Sequence, residues 1–347
     1  MSTAPDSADA DHAAVASQGR RLRTAIVWVV LAAALVVALL FAVPDLRRVG
    51  HRITHMDARW LALAVALELL SCLGYVLVFR LTFPTVEARL ANRLAAAQLA
   101  FGVALPFGGV GGIAFGAWVL RREGMATREV AERSTVLYLL TSGINAIVML
   151  ATALGLGIGL LSGPDDLSLW LAPAAFAVGA VLLVVAAGPL AALLAPRLGA
   201  RLSATLEGYA RALRETLRLA LRPSWGLLGA FAYLLCDIGV LWACAEGIGN
   251  GIPWASISLS YQVGQLATWV PIPGAVGALD GGVIGMLLVY GASASAAAAA
   301  VLVYHALMFW IRTVLGGTAF LLLRRESGSG SPPPHAAHPR LSGDVGA

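Results

Sequence analysis

Hydrophobic residues form long runs along this chain, and short segments between the runs carry most of the charges. Six long apolar runs cover residues 24–43, 60–79, about 134–160, 170–195, 225–247 and 297–323. Each run is as long as the ~20 residues that a helix needs to cross a bilayer. The pattern therefore predicts an all-α polytopic membrane protein with six full transmembrane helices.

Two further apolar stretches, about 94–120 and 255–290, are interrupted by proline and glycine. Proline removes a backbone donor and glycine loosens a helical turn, so neither stretch can be one continuous spanning helix. Each is predicted to be a re-entrant hairpin whose freed backbone groups are covered by protein or by a water-filled cavity. The breaks are expected at Pro106, Gly108, Gly111, Pro271, Pro273, Gly274 and Gly277.

The two hairpins have similar sequences. Residues 98–106 match 265–273 at five of nine positions, and after a one-residue shift 108–113 align with 274–279. Upstream, four residues between Trp60 and Gly74 recur 165 positions later. The spacing predicts an internal duplication, with repeat 1 at about 24–160 and repeat 2 at about 170–323.

Each repeat would contain three full crossings, and an odd number of crossings inverts the second repeat relative to the first. Inverted repeats that meet at broken helices near the bilayer midplane are typical of transporters. We therefore expect the two breaks, Pro106–Gly112 and Pro271–Gly277, to approach each other across a pseudo-two-fold axis in the membrane plane.

The distribution of positive charge predicts the orientation. All 24 basic residues are arginine, and 19 of them would lie inside if the N-terminus is cytoplasmic, against four outside, in 45–59. Positive charge beside spans favours the cytoplasmic side, so we expect a multi-pass plasma-membrane protein with both termini in the cytoplasm. The polar ends, 1–19 and 326–347, are expected to be disordered tails around an integral membrane domain at 20–325.

Two charged segments are predicted to be amphipathic helices at the membrane surface: a short one at 45–59 and an Arg-rich one at 197–222. The longer one is expected to bind an anionic lipid surface. Nothing suggests a nucleic-acid partner, because the arginines lie between apolar spans rather than on one soluble face.

A few polar residues interrupt the apolar runs. A charge at the bilayer centre costs about 2.5–3.5 kcal/mol on insertion scales, so such residues usually face the bundle interior. His305 and Arg312 are seven residues apart on one predicted helix face, an arrangement that can hold an anionic phosphate. The candidate substrate-binding residues are Arg312, Asp280, His305, Asp237, Glu68, Gln98 and Gln265.

Structural alternatives remain open for several of these residues. Glu68 and Asp237 could form a structural pair or stay protonated, and His305 could be a hydrogen-bonded core histidine. Gln98 and Gln265 could satisfy backbone groups freed by the breaks or line a polar path. Arg312 could be balanced by Asp280, by Asp237 or by a phosphate.

No catalytic constellation stands out. The sequence has no G-x-S-x-G motif, no His/Cys/Asp metal cluster and no Walker-type loop ending in Lys-Ser/Thr. We therefore expect neither a cofactor nor a metal, and no enzymatic activity.

Residues 273–280, Pro-Gly-Ala-Val-Gly-Ala-Leu-Asp, resemble the P-G-G-x-G-x-x-E signature of the lysylphosphatidylglycerol synthase membrane region, with Asp280 in place of Glu. Residues 105–111 resemble the family's first motif, but Gly112 and Phe115 stand where an acid and an Arg are expected. In the last span, Tyr304-His305 replaces Tyr-Arg, and Arg312 could compensate.

The resemblance covers about residues 20–325 and implies that a lipid moves between leaflets. Full synthases of the family also carry a soluble aminoacyl-transferase domain, for which the 22 residues after Arg325 leave no room, so we do not expect synthase activity. The leading hypothesis is a flippase-like translocator of a phospholipid or lipid-linked molecule. The alternatives are a membrane enzyme acting on lipid-linked substrates and a non-transporting partner subunit of a synthase. A homo-oligomer is also compatible with the sequence.

The predicted topology can be checked by cysteine labelling of intact cells. In a chain whose native cysteines are replaced, Asp166→Cys and Ser293→Cys should react with a membrane-impermeant maleimide from outside, and Ser203→Cys should not. Labelling of the Ser203→Cys protein from outside would exclude this topology.

Overall fold

A computed structural model of the chain describes residues 44–104, 109–164, 166–194, 200–249, 251–266 and 275–328. All regular secondary structure within these ranges is α-helical. The helices are α1 (Pro44–Thr54), α2 (Ala58–Thr82), α3 (Ala88–Ala104), α4 (Gly109–Arg122), α5 (Thr127–Gly157), α6 (Leu167–Leu194), α7 (Ala200–Ala220), α8 (Trp225–Gly247), α9 (Trp254–Leu266), α10 (Ala275–Val289) and α11 (Ala294–Gly328).

Five of the described helices, α2, α5, α6, α8 and α11, are long and apolar enough to cross a membrane. They coincide with five of the six predicted crossings; the first predicted crossing, 24–43, lies outside the described residues, as do the tail at 1–19 and most of the tail at 326–347. The prediction of an all-α polytopic membrane protein is thus confirmed.

Two helices extend beyond their predicted bounds. Helix α5 begins at Thr127 rather than near 134, and Arg128 Nε donates to Glu132 Oε1 at 3.1 Å, an i,i+4 ion pair that supports a helical first turn. Helix α11 continues to Gly328, past the expected start of the tail at 326.

The predicted hairpins correspond to two consecutive pairs of short helices, α3 with α4 and α9 with α10. Their lengths are 17, 14, 13 and 15 residues. At 1.5 Å per residue each is about 20–26 Å long, shorter than the ~30 Å hydrocarbon core. Gly111 lies in α4 and Gly277 in α10. Five of the predicted break residues lie outside the described residues: Pro106, Gly108, Pro271, Pro273 and Gly274.

Side-chain caps fix where several helices begin. Asp57 accepts a hydrogen bond from the Arg59 amide at 2.9 Å before α2, and Ser224 Oγ accepts one from the Leu227 amide at 3.2 Å before α8. Before α6, Asp166 accepts bonds from the Ser168 hydroxyl at 2.8 Å and amide at 2.9 Å. These hydrogen bonds hold the pKa of Asp166 below its usual range.

Helices α2 and α8 pack against each other as antiparallel neighbours. The residues that meet run in opposite chain order, from Leu81 with Gly226, through Leu77 with Gly229 and Leu67 with Gly239, to Trp60 with Gly247. The backbones approach closely: a Cβ on Gly74 would lie 2.5 Å from the Gly229 carbonyl oxygen. Small residues at such contacts are what lets membrane helices pack tightly.

Further contacts join the other described helices. Helix α3 runs along α11, where a Cβ on Gly316 would overlap the Ala96 carbonyl oxygen. Helix α7 docks on α5 and α6, with Leu213 buried at this contact. Arg211 Nη2 lies 2.6 Å from Glu132 Oε1 and joins α7 to the first turns of α5.

The α2–α8 contact predicts opposite effects for two glycine substitutions. Gly74→Ala should lower the thermal midpoint of the detergent-solubilised protein, because the new methyl group meets rigid backbone atoms; overpacking of this kind typically costs about 1–3 kcal/mol. Gly143→Ala is the matched control: Gly143 lies within helix α5, and a Cβ there would have no neighbour within 4 Å. It should leave the midpoint unchanged or raise it, because Ala is the better helix former. Equal destabilisation by both variants would contradict the close contact.

Candidate functional site

The antiparallel contact of α2 and α8 brings two acidic residues together inside the bundle. Glu68 lies near the middle of α2 and Asp237 near the middle of α8, and their exposed fractions are 0% and 3%. The contact is tied by a hydrogen bond from the Ser71 hydroxyl to the Tyr233 carbonyl at 3.0 Å. Two carboxylates are therefore held in an interior where an unpaired charge costs on the order of several kcal/mol.

Arg312 of α11 lies between the two carboxylates. Its Nε donates to Glu68 Oε1 at 2.7 Å and its Nη2 donates to Asp237 Oδ1 at 2.7 Å. Only 6% of Arg312 is exposed. A guanidinium presents several donors in a fixed plane, so one arginine can bind two acids from two different helices. These three residues form the charged cluster.

Asp237 has further hydrogen-bond donors that Glu68 lacks. The Tyr261 hydroxyl of α9 makes a short hydrogen bond to Asp237 Oδ2, and the Tyr304 hydroxyl of α11 lies 3.5 Å from the same oxygen. Gln265 Nε2 in turn donates to the Tyr261 hydroxyl at 2.8 Å. Asp237 is thus hydrogen-bonded from two helices besides its own.

Glu68 is less well satisfied. Apart from Arg312, its carboxylate has one weak donor, the Cys72 thiol, 3.7 Å from Oε1. Its second oxygen, Oε2, is buried and has no hydrogen-bond partner among the residues that the structure describes. The two acids of the charged cluster are therefore in different environments although both bind the same arginine.

Asp280 and His305 form a second, separate pair. His305 Nδ1 lies 3.2 Å from Asp280 Oδ1, and their side chains are 20% and 17% exposed. His305 and Arg312 are both on α11, about 10 Å apart along its axis. Each has its own acidic partner, and Arg312 is balanced by Glu68 and Asp237 rather than by Asp280. Joint binding of a phosphate by His305 and Arg312 stays a prediction.

The two predicted glutamines bind tyrosine hydroxyls. Gln98 Oε1 accepts a hydrogen bond from the Tyr75 hydroxyl at 2.9 Å. Its side chain fills the space that Gly116 leaves open, since a Cβ there would overlap Gln98 Nε2. Gln98 therefore lies between α3 and α4, and Gln265 adjoins the charged cluster through Tyr261.

An apolar pocket reaches the charged cluster from the outer surface of the bundle. Its volume is about 290 Å³, and its lining includes Arg312 and Cys72 together with Leu69, Leu73 and Leu315. The three leucines are exposed by 47%, 53% and 38%. The pocket lies just below the ~300–1,000 Å³ range of ligand sites, so it has room for part of a lipid.

Sequence reasoning singled out the charged members of the cluster but missed its tyrosines. The ring of Tyr233 lies 5.9 Å from the Arg312 guanidinium carbon, and this tyrosine precedes Asp237 by four residues. Tyr261 likewise precedes Gln265 by four. Positions four apart share a helix face. Polar side chains at this spacing within an apolar helix could have indicated them.

The comparison with family models agrees with the resemblance noted above. Residues 26–316 match the family described as the lysylphosphatidylglycerol synthase TM region. The chain belongs to this family. With its five described spanning helices, it is a multi-pass membrane member of the lysylphosphatidylglycerol synthase TM region family. The comparison with curated proteins gives no match.

The unequal environments of the two acids predict unequal effects on stability. Asp237→Asn should lower the thermal midpoint of the solubilised protein more than Glu68→Gln, because it removes the charge on which Arg312 and two tyrosine hydroxyls converge. Breaking a buried pair in this way costs about 3–5 kcal/mol. Glu87→Gln, at an exposed residue between α2 and α3, is the control and should stay within about 0.5 kcal/mol. A larger loss for Glu68→Gln than for Asp237→Asn would contradict this assignment.

Proposed function

We propose that the protein translocates a phospholipid, or another lipid with an anionic head group, between the leaflets of the plasma membrane. The observation that carries the proposal is the depth of the charged cluster, near the middle of α2, α8 and α11. An enzyme acting on lipid-linked substrates would instead need its polar groups at one interface, beside a solvent loop. A head group that crosses the bilayer needs polar partners at mid-depth.

An inverted repeat supports the same function. Helices α2 and α8 occupy equivalent positions of the sequence duplication, 165 residues apart, and they pack antiparallel. The contacts on either side, Leu67 with Gly239 and Gly74 with Gly229, place the centre of the crossing near Leu70 and Leu235, which are themselves equivalent. A pseudo-two-fold axis through this point, with six crossings and two re-entrant hairpins in all, accounts for both observations.

The arrangement of arginines supports cytoplasmic termini. The end of α2 meets the start of α8 through Leu81 and Gly226, and Glu132 binds Arg211. The described Arg-bearing segments 80–93, 121–133 and 200–222 therefore lie at one end of the bundle. Positive charge gathered at one end fits the cytoplasmic side of a plasma-membrane protein and gives α7 a place to bind anionic lipids.

In this mechanism the lipid enters sideways. An acyl chain occupies the apolar pocket beside Leu69 and Leu73 while the phosphate approaches Arg312. Arg312 already binds two carboxylates, so a phosphate binds by taking the place of one of them. Rocking of the two halves around this site then exposes the head group to the other leaflet. Asp280 and His305 provide a second polar contact for the head group as it crosses the bilayer.

Translocation in reconstituted vesicles tests the role of Arg312. Arg312→Gln should slow the transfer of a fluorescent phosphatidylglycerol between leaflets about tenfold or more, because a charge-assisted hydrogen bond contributes about 1.5–3 kcal/mol. Arg325→Gln, at the exposed end of the same helix, is the control and should transfer lipid at the wild-type rate.

A double variant separates lipid binding from charge balance. If Arg312 binds the phosphate, Arg312→Gln with Asp237→Asn should remain inactive while still inserting and running as a single species in size-exclusion chromatography. Recovery of transfer by the double variant would leave Arg312 a purely structural partner of the acids.

Mass spectrometry of the same vesicles should find the lipid chemically unchanged; a new lipid product would favour the enzyme alternative.

A further inference from the structure

The charged cluster contains one cation and two acids, and the described residues around it supply no second cation. Glu68, Asp237 and Arg312 are buried, and the cluster carries a net charge of −1 when both carboxyls are ionised. The other titratable groups that interact with Glu68 are neutral thiols and phenols: Cys72 on α2, Tyr233, Cys236 and Cys244 on α8, and Tyr304 on α11. The charged residues of the neighbouring helices α3 and α5 lie in the first two turns of those helices.

A buried excess negative charge is neutralised most simply by a proton, and the hydrogen bonds decide which acid takes it. Donors to a carboxylate favour its ionised form. Asp237 receives three, from Arg312, Tyr261 and Tyr304, whereas Glu68 receives two, from Arg312 and the weak Cys72 thiol, both at Oε1. Among the described residues, Glu68 Oε2 receives none and is shielded from water. The proton therefore binds to Glu68, at the free oxygen.

Protonation of Glu68 also changes what Arg312 can bind. A neutral carboxyl holds a guanidinium less strongly than a carboxylate does, because the charge-assisted bond is lost. The side of Arg312 that faces Glu68 is then the side from which an anionic oxygen can bind, and the apolar pocket beside Cys72 gives access to it. With Glu68 neutral and one phosphate bound, the cluster again carries a net charge of −1, so loading leaves its charge unchanged.

We propose that Glu68 is a proton-binding site, and that a proton taken up there crosses the membrane together with the anionic lipid bound to Arg312. This coupling rests on the proposed translocation, whereas the proton site itself does not. It supplies a driving force, since a pH difference across the membrane would then pull an anionic phospholipid toward the more alkaline side.

Infrared spectroscopy of the purified protein tests the proton site without any transport. In a pH titration, the C=O band of a buried carboxylic acid should appear as the pH falls, be absent from Glu68→Gln, and persist in the exposed control Glu87→Gln. In Asp237→Asn, where Arg312 alone balances an ionised Glu68, the band should appear only at lower pH than in the wild type. A titrating band that survives Glu68→Gln, or no band at any pH at which the protein stays folded, would overturn the assignment.

Vesicles containing labelled phosphatidylglycerol test the coupling. A pH gradient should accelerate wild-type transfer toward the alkaline leaflet and reverse its direction when the gradient is reversed. In Glu68→Gln, which cannot take up a proton, the ratio of the transfer rates with and without the gradient should fall to one. Wild-type transfer that is equally indifferent to the gradient would refute the coupling and leave the translocation intact. If wild-type protein moves no lipid at all, the proposed function and its coupling both fail, and the infrared result alone decides whether Glu68 binds a proton.

Discussion

A single guanidinium held between two buried carboxylates is the interaction on which the centre of this structure depends. Arg312 joins α11 to both α2 and α8, so three spanning helices meet at one ion-paired point. The geometry is possible because α2 and α8 approach to backbone contact at Gly74 and Gly229. Lipid exerts little hydrophobic pressure on helices to associate, so close packing and polar contacts of this kind decide which helices become neighbours.

Much of the fold could be predicted from the sequence, because the length of apolar runs and the positions of proline and glycine are local properties. Five helices that are long and apolar enough to cross a membrane, and two pairs of short helices, lie where the pattern predicted crossings and hairpins. Partner choice was harder to predict. The sequence identified Arg312 and the acids, because burying an unpaired charge costs too much free energy. Which residues pair, Arg312 with Glu68 and Asp237, and Asp280 with His305, depends on how the helices cross in space. The tyrosines escaped notice because a phenol inside an apolar span is unremarkable until an acid is seen to face it.

The duplicated helices contribute unlike residues to the same site. At a spacing of 165, Glu68 corresponds to Tyr233, and Cys72 corresponds to Asp237. Each helix thus brings one acid to the contact, but from different turns, and the counterpart of each acid is a neutral side chain. A scaffold with near two-fold character thereby holds a chemically asymmetric centre, in which one acid is rich in donors and the other is poor in them.

The glutamine and tyrosine contacts have a mechanical consequence for the short helices. In the first half, Gln98 of α3 is tied to Tyr75 of α2; in the second half, Tyr261 of α9 is tied to Asp237 of α8. A side-chain hydrogen bond therefore links each pair of short helices to the long helix that precedes it in the chain. The first hydrogen bond joins two neutral groups, whereas the second joins Tyr261 to Asp237 of the charged cluster. A shift of α9 would disturb Asp237 and through it the ion pair with Arg312, whereas a shift of α3 would first strain only the hydrogen bond between Gln98 and Tyr75. The two pairs of short helices are therefore expected to need different amounts of energy to move.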